Sequence, residues 1–520
     1  MKARGTKDPT WINDTTRDRS LKHLESNIVD VAVLGGGITG AGVALDAASR
    51  GLSVALVESN DFASGTSGYS SKLVHGGLRY LAKGDLSLAW ESAVERRWLM
   101  SVIAPHLVHP LGFVIPERLD APRTQGILAG AGVLVYDVLR RASGLSGSIL
   151  PRPQLLGSKA VCAMVPALDA GALRRGLLYW DGQVLDDARL VLGVLRTAAA
   201  LGAHLVRDLA ATSITATSIE ATDTRTGSPV GIRARTVVNA AGVWAGDFDA
   251  SLSLVPSRGT HLVVRAGTLG NPHAAHTVAV PGNFGRYVFV LPQPNGLVYI
   301  GLTDEEDRHG DGHHPQIPEE DVGFLLGILN SALAVPLARD QVVGAFAGLR
   351  PLVRRIGANA KDGTADISRR HLIHDVPGEP ITVVGGKLST YRAMAEDAVD
   401  AVTARLGVRT PCTTKTLPLV GAGNRAELAA IDAPARLVAR YGTEAPAVAQ
   451  LGRTDPLLAE PLFAGTEITG AELLFGIRAE GAASVDDLLG RRTRLALVPA
   501  DAAKAHGRAT EILAAEGISP

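Results

Sequence analysis

The sequence contains very little cysteine and no excess of charge of either sign. Its two cysteines, Cys162 and Cys412, lie far apart and in no metal-ligand spacing. Two such residues build no disulfide framework, and their scarcity favours a protein of the reducing cytoplasm. Lysine plus arginine and aspartate plus glutamate both total 52, so the net charge is zero. We therefore expect no nucleic-acid partner, and any bound anion must meet a local cluster of cations.

Long hydrophobic runs are also missing. No stretch reaches the roughly 20 apolar residues that a membrane-spanning helix requires, so any work at a membrane is expected from one face of it. Residues 1–27 are polar and charged, without the apolar segment of a secretion signal, and predict a flexible arm. A length of 520 residues with 46% hydrophobic side chains predicts a large core shared by two or three domains.

The first apolar run opens a unit of strand, glycine turn, helix and strand. Residues 28–34 are rich in β-branched side chains, residues 38–50 are rich in alanine, and residues 52–57 are again apolar. Gly51 is suited to end the helix because glycine adopts a left-handed backbone without strain. This order predicts a βαβ unit whose parallel sheet is covered on both faces.

A G-x-G-x-x-G motif lies between this first strand and its helix, at Gly35, Gly37 and Gly40. Gly35 permits the tight turn, Gly37 lets the backbone approach a pyrophosphate at the helix N-terminus, and Gly40 allows close packing of helix and strand. Glu58 ends the second strand, where a carboxylate accepts hydrogen bonds from a ribose 2′-hydroxyl. The motif predicts a dinucleotide without a 2′-phosphate, and by itself it leaves FAD and NAD open.

Two further strand ends bear on that choice. Residues 237–242 and 383–387 each predict a buried strand that ends in small residues, including Gly242 and Gly386. Small residues let the backbone approach a cofactor, and a flavin laid across a sheet edge needs more such approaches than a nicotinamide nucleotide. Ordinary strand-to-helix turns would produce the same pattern, so both readings stay open here.

The rest of the chain predicts that the dinucleotide domain is discontinuous. Residues 256–303 contain short β-rich runs between proline and glycine turns, which is typical of an antiparallel sheet. The predicted fold class is α/β, or α+β overall, with a Rossmann-like domain, an inserted β-rich substrate domain and a helical C-terminal domain. The predicted boundaries are 1–27 for the arm, 28–110, 170–255 and 345–400 for the dinucleotide domain, 111–169 and 256–344 for the substrate domain, and 401–520 for the C-terminal domain.

Three stretches of the chain resemble the FAD-dependent glycerol-3-phosphate dehydrogenase family, within the D-amino-acid-oxidase-like flavoproteins. They are residues 34–46 (LGGGITGAGVALD), 70–81 (SSKLVHGGLRYL) and 385–395 (GGKLSTYRAMA). The resemblance extends over residues 28–400 and, more loosely, the C-terminal region; Leu34 departs from the family's isoleucine or valine. It implies an enzyme that oxidises sn-glycerol 3-phosphate to dihydroxyacetone phosphate, transfers a hydride to FAD and passes the electrons to a quinone.

The motif and the resemblance together assign site residues. The loop 61–73 is implied to run along the FAD, where hydroxyl groups and glycine-adjacent amides suit phosphates and a ribityl chain. The implied cofactor-binding residues are Gly35, Gly36, Gly37, Thr39, Gly40, Glu58, Ser64, Thr66, Ser67, Ser71, Gly242, Gly386, Leu388, Ser389 and Thr390.

A substrate phosphate calls for cations in a mostly apolar pocket. The implied substrate contacts are Arg79, Tyr80, Arg350, Arg369 and Lys387, and Arg370 could take the part of Arg369.

Loss of a hydride from carbon 2 requires that the hydroxyl proton leave too, so a base or a hydrogen-bonded route is needed. His75 and His261 are the candidate bases because the unperturbed histidine pKa is about 6.5. The sequence does not rank them. Arg350 is expected to lower the pKa of the hydroxyl by its charge, and Lys387 completes the predicted catalytic set.

The pair His313–His314 lies near three aspartates but matches the spacing of no standard metal loop, so we expect a solvated loop and no metal.

Three other functions compete with the dehydrogenase: a glycerol-3-phosphate oxidase that uses oxygen, an amine-oxidising flavoenzyme of the same fold, and a flavin-binding scaffold without turnover. An amine substrate calls for a carboxylate to bind it rather than for this many cations. A chemically complete candidate site disfavours the scaffold.

A quinone acceptor implies peripheral contact with the inner face of the plasma membrane by a cytoplasmic protein. One candidate surface is the C-terminal cluster Leu488, Leu489, Arg491, Arg492 and Arg494, whose leucines could instead pack inside the C-terminal domain while the arginines are solvated. A homodimer is left open.

Overall fold

The structure is a computed structural model that describes residues 8–82, 84–282, 286–307, 312–353 and 370–518. The strands are β1 Val29–Leu34, β2 Val54–Val57, β3 Leu73–Val74, β4 Val108–Arg118, β5 Gln154–Gly157, β6 Leu173–Val184, β7 His204–Val206, β8 Leu209–Ile214, β9 Ser218–Asp223, β10 Pro229–Asn239, β11 Leu254–Arg265, β12 Ala275–Ala279, β13 Tyr287–Pro292, β14 Leu297–Gly301, β15 Glu305–Glu306, β16 Val342–Val353, β17 His371–His374 and β18 Ile381–Gly385. The helices are α1 Asp14–Ser26, α2 Ile38–Ser49, α3 Leu78–Ala82, α4 Leu86–Trp98, α5 Arg123–Ala142, α6 Ser158–Met164, α7 Asp187–Ala200, α8 Glu319–Asn330, α9 Tyr391–Leu406, α10 Arg425–Ala429, α11 Ala435–Tyr441, α12 Ala445–Thr454, α13 Pro456–Ala459, α14 Gly470–Arg478 and α15 Pro499–Ala515.

The first sheet contains the predicted βαβ unit. Its strand order is β17-β18-β10-β1-β2-β7, with β9 and β8 attached through β10, and β1 runs parallel to both β10 and β2. β-branched residues favour these strands because their side chains fit a buried pleated surface, and Val31 and Val33 have no exposed surface. Helices α7 and α9 pack on α2, while β8, β9 and α1 cover the opposite face. The predicted fold class is confirmed.

The second sheet is mostly antiparallel, as predicted for the inserted domain. Its strand order is β15-β11-β14-β13-β12-β4-β6-β3, with β16 paired to β11 and β5 paired to β6. The predicted boundaries are wrong for β6 and for most of β16. The dinucleotide domain was predicted to include residues 170–255 and 345–400, but both strands belong to the second sheet. β6 pairs with β4 from Val184 to Leu173, and β16 pairs with β11 from Val353 to Val342. These pairings join segments far apart in the chain, so local patterns did not reveal them.

The predicted flexible arm is wrong for residues 14–26, which form α1. Asn13 caps this helix by accepting the Thr16 N–H at 3.1 Å. Leu24 is buried against the first sheet, and the buried Arg17 forms an ion pair with Asp223 at 2.9 Å. The segment is hydrophilic, but its polar side chains have specific partners, which composition does not reveal.

The C-terminal region is helical, as predicted, and contains α10 to α15 with a π-helical turn, Asp487–Arg492, between α14 and α15. Leu488 and Leu489 pack in its core. The C-terminal cluster is therefore wrong as a membrane surface. Its arginines are not solvated either, because Arg491, Arg492 and Arg494 are all buried against carboxylates and carbonyl groups. Among the described residues, no helix is both long and apolar enough to cross a membrane.

A buried histidine in the second sheet makes the free energy of unfolding depend on pH. His276, on β12, has 1% of its surface exposed, and neither ring nitrogen has a hydrogen-bond partner among the described residues. Burial lowers the pKa of His276 to about 4. An unfolded histidine titrates at about 6.5. Between these values only the unfolded chain binds the proton, so the free energy of unfolding falls as the pH drops from about 6.5 towards 4.

We expect His276→Phe, which keeps a buried ring but cannot titrate, to weaken this acid sensitivity. Its free energy of unfolding should fall by about 3 kcal/mol less than that of the wild-type chain over this pH range. Urea unfolding at several pH values measures the difference. Parallel pH profiles for the two proteins would contradict this account of His276.

Candidate active site

A cavity of about 550 Å³ lies where the first sheet meets the second. On one side it is lined by the ends of β1, β10 and β18, and on the other by residues of β4, β6, β11, β13 and β16. In open α/β sheets, ligands bind outside the carboxyl ends of the parallel strands. The cavity has this position.

The glycine turn at the end of β1 brings backbones into direct contact. Gly35 has a φ of +109°, and a Cβ there would lie 2.5 Å from the Ala240 carbonyl oxygen. A Cβ at Gly40 would overlap the carbonyl oxygen of Gly35. Only glycine fits at both positions, so α2 packs tightly on β1 as the motif predicted.

The N-terminus of α2 opens on the cavity, which Gly37, Ile38 and Thr39 line. Its N-cap is Gly37, which has no side chain to cap the helix. The first turn of a helix has N–H groups without partners inside the helix, and its dipole favours negative charge. The donor set therefore fits the pyrophosphate of a dinucleotide.

Glu58 lies beside this turn. Its carboxylate accepts the Gly36 N–H at 2.6 Å and the Asn60 N–H at 3.0 Å, and it also lines the cavity. Burial raises the pKa of the Glu58 carboxyl above its usual value. The backbone hydrogen bonds fix its direction, while its contact with a ribose stays a prediction.

The serine-rich loop after β2 forms another part of the wall. Ser67 accepts the Ile38 N–H at 2.9 Å, Thr66 donates to the Leu349 carbonyl at 2.5 Å, and Ser71 is 2.9 Å from Nε2 of His261. The predicted cofactor residues that line the cavity are Gly35, Gly37, Thr39, Glu58, Ser64, Thr66, Ser67, Ser71, Gly242, Gly386, Leu388 and Ser389.

Three predicted cofactor residues lie behind this wall. The N–H of Gly36 is used by Glu58, and Gly40 packs on Gly35. Thr390 is buried, with its hydroxyl 3.4 Å from the Lys387 carbonyl. Each supports a neighbour that does line the cavity.

Lys387 reaches the cavity from the turn after β18. Gly386 before it has a φ of +73°, and a Cβ there would overlap the sulfur of Met394. The Lys387 ammonium donates to the Ser92 hydroxyl at 2.9 Å and lies 4.3 Å from the centre of the Tyr80 ring. The structure thus brings together the two predicted substrate residues Tyr80 and Lys387.

Arg350 enters the cavity from β16. It donates to the Asp304 carboxylate at 3.0 Å and to the Ser257 hydroxyl at 3.1 Å. Gly259, on the neighbouring β11, has no room for a Cβ because the guanidinium of Arg350 occupies that space. The guanidinium is therefore fixed in direction by the protein.

The two candidate bases differ in their surroundings. His261 is buried and stacks on Phe346 with ring centres 4.7 Å apart. Burial and the charges of Arg350 and Lys72 lower its pKa to about 3. His75 follows β3 and lines the cavity, with its ring 5.8 Å from that of Tyr80.

A buried polar network next to His75 was not predicted. The Gly76 N–H donates to the Tyr136 hydroxyl at 2.8 Å and to the Asp181 carboxylate at 3.1 Å. Arg96 bonds the same two groups, at 2.8 Å to Asp181. This network fixes the backbone beside His75. The sequence carried one hint, because the carboxylate of Asp181 directly follows a run of four large apolar or aromatic residues, 177–180, in β6.

The expected solvated loop at His313–His314 is wrong for His313. His314 is exposed, but His313 lines the cavity and stacks on Trp244, with ring centres 4.3 Å apart. A Cβ at Gly312 would lie 2.5 Å from the Trp244 ring. Among the described residues, no group of three histidine, cysteine, aspartate or glutamate side chains could hold a metal ion.

Of the predicted substrate residues, Arg369 lies outside the described residues and Arg79 lies on α3. The alternative to Arg369, Arg370, donates to Asp85 at 2.9 Å, at the N-terminus of α4.

Comparison with known families agrees with this site. The family model described as FAD dependent oxidoreductase matches residues 30–383, and the model for the C-terminal domain of alpha-glycerophosphate oxidase matches residues 412–517. The first match spans more than half of the chain. The fold and the cavity are those of an FAD-dependent oxidoreductase.

Individual relatives narrow this class. Glycerol-3-phosphate dehydrogenase 1 of Mycobacterium tuberculosis is 46% identical over 96% of this chain and 98% of its own length. The mitochondrial glycerol-3-phosphate dehydrogenase of Mesocricetus auratus is 32% identical over 96% of this chain and 72% of its own. The structure of the Bacillus halodurans glycerol-3-phosphate dehydrogenase complexed with FAD matches with a TM-score of 0.72 and 27% identity, over 96% of this chain and 93% of that chain. This chain belongs to the FAD-dependent glycerol-3-phosphate dehydrogenase family.

The glycine turn provides a direct test of the cofactor site. In Gly40→Ala, the new methyl group overlaps the Gly35 carbonyl, so α2 must move away from β1. We expect the free energy of unfolding to fall by about 1–3 kcal/mol and FAD to bind more weakly, as measured by urea unfolding and by flavin titration of the apoprotein.

Gly507→Ala is the matched control. It lies in α15, where, apart from its chain neighbours and the backbone of its own helix, no heavy atom of the described residues lies within 4 Å of a Cβ built there. Because alanine favours helix more than glycine, this change should be neutral or stabilise by up to about 1 kcal/mol. Equal effects of the two substitutions would contradict the packing argument.

Proposed function

We propose that this chain oxidises sn-glycerol 3-phosphate to dihydroxyacetone phosphate, with FAD as hydride acceptor and a quinone as the final acceptor. The observation that carries this proposal is one cavity lined both by the N-terminus of α2 and by two cations, Arg350 and Lys387. The N-terminus of α2 therefore suits the negatively charged pyrophosphate of a dinucleotide, and the two cations suit the phosphate of a small phosphorylated alcohol.

The two cations bind the substrate as an anion. Both are held before the substrate arrives, Arg350 by Asp304 and Lys387 by Ser92. Aromatic side chains of Phe113, Tyr179 and Phe289 also line the cavity. They lower the local polarity, and charge interactions strengthen where water is excluded. The phosphate is thus recognised by fixed cations.

Oxidation of the alcohol removes two hydrogens from it, one as a hydride and one as a proton. When bound, FAD supplies the acceptor for the hydride that leaves carbon 2. His75 accepts the hydroxyl proton, so that the secondary alcohol becomes a ketone. His261 is a poor acceptor because burial, together with the charges of Arg350 and Lys72, lowers its pKa to about 3 and so disfavours its protonated form. Its role is to orient Ser71 through their 2.9 Å hydrogen bond.

Lys387→Met tests the phosphate contact. We expect kcat/KM for glycerol 3-phosphate to fall by roughly tenfold to a hundredfold, the cost of one charge-assisted hydrogen bond. Activity on glycerol, which carries no phosphate, should change much less, and FAD content should stay normal. The readout is anaerobic bleaching of the flavin absorbance by each alcohol.

Lys159→Met, an exposed lysine on α6, is the control and should retain wild-type kinetics. An unchanged preference for the phosphorylated substrate in Lys387→Met would remove Lys387 from the site. Failure of glycerol 3-phosphate to bleach the wild-type flavin would refute the proposed reaction, and rapid peroxide formation in air would favour an oxidase.

The quinone acceptor is supported by the unusual orientation of α5. The inner side of this helix carries polar and aromatic side chains, because Tyr136, Asp137 and Arg140 are buried. Its outer side is apolar and exposed, with 68% of Ile127 and 67% of Leu134 accessible. We call this surface the apolar face of α5; it consists of Ile127, Leu128, Leu134, Val135 and Val138.

A lipid surface fits this face. Monomeric soluble proteins rarely expose large contiguous apolar patches, and an apolar helix face lies stably at the boundary of headgroups and acyl chains. Arg141, at the end of α5, is exposed enough to meet anionic headgroups, and Trp90 on the adjoining α4 is also exposed. Tryptophan is enriched at membrane interfaces.

The apolar face also lies close to the cavity. On the inner side of α5, Tyr136 accepts the N–H of Gly76, the residue after His75. An acceptor dissolved in the bilayer would therefore meet the protein near the flavin. This arrangement suits a quinone better than a water-soluble acceptor.

We expect the wild-type protein to sediment with anionic liposomes at low salt, and Leu134→Gln with Val138→Gln to stay in the supernatant. Both positions are exposed, so the fold should persist, and reduction of a soluble dye should be unchanged. Leu457→Gln, equally exposed on α13, is the control. Equal lipid binding by the double variant would refute the assignment, and wild-type self-association abolished by it would assign the face to a homodimer.

A further inference from the structure

The serine-rich loop of the cavity wall, residues 61–72, is strained at both ends. We call this segment the cofactor loop. Ala63 has a φ of +61° and Lys72 a φ of +57°, although neither is glycine. Left-handed backbone at such residues costs free energy and persists only where surrounding contacts enforce it. The loop therefore needs external support to keep this shape.

The C-terminal region supplies support at the first end. Asp61 is buried, and Arg492 donates to its two carboxylate oxygens at 2.6 and 2.8 Å, while Arg491 donates to it at 2.5 Å. Arg492 has no exposed surface. Burial alone would raise the pKa of Asp61, but the charges of Arg492 and Arg491 hold it well below its usual value. The start of the loop is therefore tied to residues more than 400 positions away in the sequence.

The middle and the far end are held as well. Arg494 donates to the Gly68 carbonyl and, at 2.8 Å, to the Gly490 carbonyl, so it bridges the two segments. At the far end, Lys72 forms an ion pair with Asp187 at 3.0 Å, and Arg494 lies 3.7 Å from the same carboxylate. The whole loop thus rests on one buried cluster of charges.

This cluster supports the cavity from outside. Among the described residues, no side chain beyond Met394 lines the cavity, so the C-terminal arginines do not reach the cofactor site themselves. Yet the loop that they hold carries Ser64, Thr66 and Ser67 into its wall. The arginines therefore act on the cavity only through the loop.

We propose that the C-terminal region positions the cofactor loop through Arg491, Arg492 and Arg494, and thereby sets the affinity for FAD. The inference rests on the proposed function only in that this loop contacts FAD. Without the arginines the strained loop relaxes in the apoprotein, and FAD must restore its shape on binding. Binding is weakened because part of its free energy is used to order the loop.

The decisive variant is Asp61→Asn with Arg492→Gln, which removes both charges of the pair and leaves none unpaired in the interior. We expect its FAD dissociation constant to rise about tenfold or more relative to the wild-type apoprotein. Hydrogen exchange of amides 61–72 should accelerate in the apoprotein, while that of the C-terminal helices should not. Both measurements use no substrate, so they are independent of the reaction catalysed.

The matched control is Arg436→Gln with Glu472→Gln, which removes another C-terminal ion pair, between a half-buried arginine and a buried glutamate, with 2.7 and 2.8 Å contacts, that does not touch the loop. Its FAD affinity should stay within about twofold of wild type. The proposal is overturned if both double variants bind FAD equally well, or if exchange in the loop is unchanged.

If the first variant does not fold, Arg494→Lys decides the question. Lysine retains the charge near Asp187, but its single ammonium cannot bridge the carbonyl groups of Gly68 and Gly490 in the fork geometry of arginine. Weaker FAD binding at an unchanged melting temperature supports the proposal, and wild-type affinity overturns it.

Discussion

Helix α2 lies so close to β1 and β10 that Gly35 and Gly40 have no room for a side chain. This close approach sets the position of the helix N-terminus, where Gly37, Ile38 and Thr39 line the cavity. The neighbouring loops are attached to the same turn, because Ser67 accepts the Ile38 N–H and Ala63 donates to the Gly36 carbonyl at 3.1 Å. A shift of α2 would therefore displace the serine-rich wall together with the helix dipole.

Buried ion pairs then attach the C-terminal region to this core. Arg189 meets Glu480 at 2.6 Å, Arg440 meets Asp186 at 2.8 Å, and Arg492 meets Asp61 at 2.6 Å. Such pairs add little net stability because the loss of hydration offsets their attraction, but removing one partner leaves a costly unpaired charge. They therefore act mainly to specify one docking geometry, which the cavity wall requires.

In the proposed mechanism, different residues of the site carry substrate binding and proton transfer. Positive charge at Arg350 and Lys387 suits a phosphate dianion. Burial, together with the charges of Arg350 and Lys72, also keeps His261 neutral by lowering its pKa to about 3. A histidine that lies among cations is thus poorly suited to take up a proton. His75 lies in a different part of the wall. A separate network of Asp181, Tyr136 and Arg96 fixes the backbone of the residue that follows it.

Much of the fold could be predicted because it is encoded locally. The glycine turn, the alternation of strand and helix around it and the β-rich insertion depend on backbone geometry and on side-chain patterns over a few residues. The same holds for the cavity residues near the glycine turn and in the stretches 70–81 and 385–395, which belong to the motifs that carried the family resemblance.

The sequence by itself thus determined the cofactor class, the order of the elements around the glycine turn and many of the residues that line the cavity. Only the tertiary structure decided that β6 and β16 join the second sheet, that Arg491, Arg492 and Arg494 are buried rather than facing a membrane, and that His313 stacks on Trp244. It also decided that α5 turns its apolar side outward. Each of these depends on contacts between residues far apart in the chain. Burial and pairing at that range are properties of the packed structure, and local patterns do not contain them.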